Sequence, residues 1–183
     1  MSSVLFVHAT GLAALGLSVT SSIHHCDRRL RRHNFLAGIC WALNYFLLGA
    51  MMGAALSCVS AARTGTASLV HRRALRLRGV ACALFAACSL ATAVLTWQGW
   101  TTLLPVASSV LTTYAVFFLA GTRLRLALLM AALLWTQNVL ALQSPEQIIG
   151  NFLGIAAACI GLWRCARLAG AATAAAPVPL LPQ

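Results

Sequence analysis

Long apolar runs alternate with short polar segments along the whole chain. A helix rises 1.5 Å per residue, so roughly 17 to 25 mainly apolar residues carry it across about 30 Å of hydrocarbon. Val4–Ile23, Phe35–Met52, Gly79–Trp97, Leu126–Leu142 and Ile148–Trp163 read as such spans. Thr101–Ala120 joins them despite Pro105, which falls in the first turns of a helix, where a missing N–H costs little. Gly53–Val70 is the weakest, because it holds Arg63, several hydroxyls and two glycines. The pattern predicts an all-α polytopic membrane protein of seven helices.

The polar segments decide whether Gly53–Val70 counts. With seven spans and the N-terminus outside, Arg28, Arg29, Arg31 and Arg32 follow span one, and Arg72, Arg73, Arg76 and Arg78 follow span three. Arg123 and Arg125 follow span five, and Arg164 and Arg167 follow span seven, so all lie on the inner side. The outer connections hold no arginine. Short inner loops favour basic residues, and removing span three would put its flanking arginines on opposite faces. Arg63, in the inner half of span three, is expected to snorkel to the headgroups; drawing an anion is its alternative use.

Composition agrees. The 183 residues are 61% hydrophobic and 8% charged, against about 25% charged for a soluble domain. The formal charge of +11 raises nucleic acid as a partner, but the arginines are dealt into separate clusters rather than one patch. No basic residue precedes the first apolar run, as a secretory signal would require. The seven cysteines are unpatterned and lie mostly in apolar runs, so they are expected to be reduced, small hydrophobic side chains. The final stretch, 169–183, turns to alanine and then to Pro177, Pro179 and Pro182, and is expected to be a disordered cytoplasmic tail.

An internal repeat relates two parts of the chain. Arg29, Leu30, Arg31, Ala37, Trp41 and Asn44 recur 94 residues later as Arg123, Leu124, Arg125, Ala131, Trp135 and Asn138. This predicts a 3+1+3 plan: repeat one over about 4–70, a connector helix over 79–97, and repeat two over about 101–168. Four spans separate equivalent helices, so the copies point the same way, as in parallel-repeat carriers. A solute would then sit between the two three-helix units.

The chain resembles the YgjV-type bacterial inner membrane proteins in DRRLRRHNF…NYFLLG at Asp27–Gly49, SCVSAARTG at Ser57–Gly65 and LLPVASSVLTTYAVFFLAG at Leu103–Gly121. Trp135, Asn138 and CIGLWR at Cys159–Arg164 are also similar. The resemblance implies a bacterial cytoplasmic-membrane location and a distant likeness to SWEET and PQ-loop carriers, which share the three-plus-one-plus-three plan. Those carriers hinge on a Pro-Gln pair; here that pair occurs solely as Pro182-Gln183 in the tail.

The candidate solute contacts are Trp41, Asn44, Trp135, Asn138 and Asn151. An amide in hydrocarbon needs a hydrogen-bond partner, either a solute hydroxyl or another helix. Each indole sits one turn before its asparagine on the same helix face, and either stacks on a solute or packs. Gly150 with Gly154, and Gly49 with Gly53, are spaced for close helix approach. His24-His25-Cys26-Asp27 holds ligand-type atoms, but neighbours diverge by about 100° on a helix, which disfavours a metal site. No catalytic set and no cofactor motif is present. The partners expected are the lipid bilayer and a small uncharged polar solute, since Arg63 is the sole charged side chain within the spans. A non-transporting scaffold or subunit of a membrane complex is the alternative.

Overall fold

The computed structural model describes residues 2–23, 26–70, 73–97, 99–143 and 145–174. Seven α-helices occupy them: α1 Ser2–Ile23, α2 Asp27–Leu47, α3 Met51–Val70, α4 Leu75–Leu95, α5 Leu103–Phe118, α6 Gly121–Leu142 and α7 Pro145–Ala174. A single 3-10 turn, Trp100–Thr102, leads into α5. The all-α expectation holds. Five helices, α1, α4, α5, α6 and α7, are long and apolar enough to cross a membrane. The two others differ in composition: α2 opens with Asp27, Arg28, Arg29, Arg31 and Arg32, and α3 carries Arg63 among serines and threonines.

Two boundaries depart from the apolar pattern. The second apolar run does not continue to Met52. Gly49 takes φ +73°, and the Ala50 N–H reaches back to the Tyr45 carbonyl at 2.9 Å, a left-handed helix stop that favours glycine. Met51 and Met52 therefore open α3. At the other end α7 runs on to Ala174 rather than stopping at 168, because Ala169–Ala174 is rich in alanine, the strongest helix former. The prolines that motivated a disordered tail lie outside the described residues.

The helices close into a ring. In order, α1 packs on α2, α2 on α3, α3 on α5, α5 on α6, α6 on α7 and α7 on α1. The α4 helix lies outside this ring, against α3 and α5. Large side chains such as Leu69, Leu84, Val94 and Phe152 face outward, whereas the buried positions are dominated by Ala14, Ala37, Ala67, Ala115, Ala131 and Ala157. Small inside and large outside is what lipid favours, since tails are as apolar as leucine and helices gain mainly by close approach.

Gly161 marks the closest closure. A Cβ there would collide with the Ser22 carbonyl oxygen, where α7 crosses α1. Gly53 lies under the Tyr45 ring and Gly150 under the Trp41 indole, while Gly154 has nothing within 4 Å.

Two arginines of the clusters are buried between helices. Arg31 and Arg125 are buried, at 3% and 4% exposure. Asp27 accepts from the Gly121 N–H at 3.0 Å and from Arg125 at 3.4 Å, capping α6 from the start of α2. Arg31 Nη2 donates to the Leu119 carbonyl at 3.5 Å, and Arg78 Nε to that of Phe117 at 2.9 Å. Arg72, His24 and His25 lie outside the described residues.

Replacing Gly161 by alanine should destabilise the protein by about 1–3 kcal/mol through overpacking against backbone. Gly16→Ala, with nothing within 4 Å, should be neutral or stabilising by up to about 1 kcal/mol. Unfolding in detergent reads both, and equal effects would contradict the packing described.

Candidate functional site

The ring surrounds a cavity of about 270 Å³, just below the common range of about 300–1,000 Å³ for ligand pockets. Its wall draws on α1, α2, α3, α5, α6 and α7 and on no residue of α4. The lining combines hydroxyls (Ser21, Ser57, Ser108 and Thr112 among them), the amides of Asn34, Gln147 and Asn151, two indoles, and Arg63.

Trp41 and Trp135 both line this cavity. They meet through Tyr45, whose ring centroid lies 6.2 Å from each. The Trp135 Nε1–H donates to the Tyr45 hydroxyl at 3.0 Å, and the Trp41 Nε1–H donates to Ser18 Oγ at 3.0 Å. Both polar handles are satisfied, which leaves ring faces and edges to the cavity. Asn151 also lines it, and its amide donates to Thr136 Oγ1 at 2.9 Å, tying α7 to α6.

The two asparagines of the repeat stand behind the wall and are not equivalent. Asn44 is fully buried. It donates to the Val7 carbonyl at 2.9 Å and accepts from Gln147 Nε2 at 3.0 Å, joining α2 to α1 and α7. Asn138 lies beside the Tyr45 hydroxyl, and its buried Nδ2 has no well-formed hydrogen bond among the described residues. Gln147 Oε1 is buried and has no partner among the described residues.

Arg63 does not snorkel. It is 4% exposed, and its Nη1 donates to the Ser109 carbonyl at 2.6 Å, Ser109 Oγ at 2.9 Å and Thr113 Oγ1 at 3.0 Å. Nη2 donates to Ser60 Oγ at 3.1 Å. Taking a charge out of water costs several kcal/mol. Hydrogen bonds to a charged group contribute about 1.5–3 kcal/mol each, so these acceptors outweigh that cost and hold the side chain inside. Ser109 Oγ also bonds Ser89 Oγ of α4 at 2.9 Å, extending the brace to the outer helix.

Tyr45 and the serine–threonine face of α5 were not singled out from sequence. Their signal is weak, because hydroxyls in a span usually bond the carbonyl four residues back, as Thr113 does to Ser109 at 2.7 Å. No group of three or more His, Cys, Asp or Glu side chains that could hold a metal ion occurs among the described residues.

Asn44→Leu should destabilise by about 1–3 kcal/mol, because it strands a carbonyl and the Gln147 amide. Asn138→Leu should cost less, since its Nδ2 already lacks a well-formed hydrogen bond among the described residues. Equal losses in unfolding experiments would contradict this asymmetry.

The family model Imp-YgjV, described as a bacterial inner membrane protein, matches residues 5–169. Comparison with curated proteins and with solved structures found no match. With five helices fit to cross a bilayer and nearly the whole helical region matched, the chain belongs to the YgjV family of multi-pass bacterial inner membrane proteins.

Proposed function

We propose that this protein is a carrier-like membrane protein that holds a small polar solute in the central cavity and exposes it to either side in turn. The observation that carries this reading is the central cavity lined by six helices, with hydroxyls, amides and Arg63 set into a mainly apolar wall. A scaffold without a solute would gain from a packed centre, so the cavity weighs against that alternative.

The ring order supports a 3+1+3 plan. Under the 94-residue repeat, α1, α2 and α3 correspond to α5, α6 and α7. The α1–α2 and α2–α3 contacts then correspond to α5–α6 and α6–α7, and the α3–α5 junction corresponds to the α7–α1 junction. That is the contact pattern of a two-fold axis through the cavity, with α4 as connector. In this reading α2 and α3 cross as well. They are 21 and 20 residues long, enough for about 30 Å, and the outward side chains of α2 include Ile39, Leu43 and Phe46. The N-terminus is then outside and the C-terminus inside, with the arginine-rich ends of the helices toward the cytoplasm.

Trp41, Trp135 and Asn151 face the solute; Asn44 and Asn138 act behind them by fixing α2 and Tyr45. The Asp27–Arg125 contact joins the two units near their arginine-rich ends and is the natural place for an inner gate.

Vesicles containing the protein should take up at least one of glycerol, a hexose or lactate faster than empty vesicles. The double variant Trp41→Leu, Trp135→Leu should lower that rate about tenfold, the combined loss expected for two aromatic contacts. Uptake no faster than in empty vesicles for the whole panel would contradict the proposal, as would full activity in the folded double variant.

A further inference from the structure

An uncharged solute is expected from the sequence because the spans hold no other charged side chain, with Arg63 set aside as snorkelling; its burial brings back the alternative that it draws an anion. Among the buried arginines, Arg125 is paired with Asp27, and Arg31 lies at the same end of the bundle, near the same carboxylate. Arg63 has no carboxylate partner among the described residues. Its acceptors are three hydroxyls and one carbonyl, all neutral. No acidic side chain lines the cavity that Arg63 shares.

We propose that the solute is a small organic monocarboxylate and that Arg63 is the residue that takes its carboxylate group. This rests on the cavity being a solute site. The neutral acceptors solvate this guanidinium but leave its net positive charge, which an anionic solute would neutralise and an uncharged one would not. The named acceptors engage Nη1 and Nη2, while the buried Nε has no partner among the described residues. A guanidinium carries five N–H donors and no acceptor, so donors remain for a carboxylate that meets Arg63 from the cavity.

The rest of the wall sets the class. One guanidinium balances one negative charge, whereas a phosphate dianion would ask for a second cation that the lining lacks. Two indoles and the many hydroxyls suit a short carbon skeleton with hydroxyl groups better than a bare halide. A volume of about 270 Å³ limits the solute to metabolite size.

The test is thermal unfolding of the full-length protein in detergent, at fixed ionic strength, against acetate, lactate, benzoate, chloride, inorganic phosphate and mannitol. At least one carboxylate should raise Tm saturably, while chloride, phosphate and mannitol should not. Arg63→Gln should weaken that binding about tenfold or more, as expected for a lost charge-assisted hydrogen bond, and Arg63→Lys should retain part of it. If Arg63→Gln does not fold, the wild-type series alone decides. A shift with mannitol and none with carboxylates would overturn the anion while leaving the cavity as a solute site. An equal shift with chloride or phosphate would overturn the organic carboxylate. No shift with any probe would overturn both this inference and the solute site it rests on.

Discussion

A single guanidinium held inside the bundle organises much of what surrounds it. Arg63 carries a charge that burial cuts off from water, so the protein must supply the acceptors itself. Ser109 and Thr113 do so from α5, and Ser60 from its own helix. That requirement places α3 against α5 with their hydroxyl faces together, and the Ser89–Ser109 bond brings α4 onto the same seam. The ring is completed elsewhere by size rather than by charge, with Gly161 admitting the backbone of α1 and Gly150 admitting Trp41.

The result inverts the usual partition of a soluble protein. Leucines, valines and phenylalanines are on the outside, alanines and serines are between helices, and the polar remainder gathers around a cavity. Interhelical hydrogen bonds in membranes average below about 1 kcal/mol, so no one neutral bond accounts for the arrangement. Asn44 spans three helices and Trp41 two; such contacts act collectively to keep the centre open while the rim is packed.

Much of the architecture was legible in the sequence because hydrophobic length and glycine placement are local signals. Seven apolar runs became seven helices, five of them long and apolar enough to cross a membrane, and Trp41 and Trp135 both line one cavity. What escaped depends on partners distant in sequence. The end of α2 was misjudged because Gly49 sits within an unbroken apolar run, where its positive φ is invisible. Arg63 was read as a snorkelling side chain because its acceptors are ordinary serines and threonines 46 and 50 residues away. Asn44 and Asn138 match in sequence but differ in use, since Gln147 has a described bond to the first and none to the second. Tyr45 gave no signal at all: one tyrosine among apolar neighbours looks the same whether it faces lipid or joins two indoles.

The most direct test of this account is a double-mutant cycle between Arg63 and Thr113, using Arg63→Met and Thr113→Val and measuring unfolding free energies in detergent. A side chain braced across the bundle predicts a coupling energy above about 1 kcal/mol, the range for residues in one hydrogen-bonded network. Additive effects, within about 0.3–0.5 kcal/mol of the sum of the single variants, would mean that Arg63 does not reach α5, and the polar centre built around it would go with that contact.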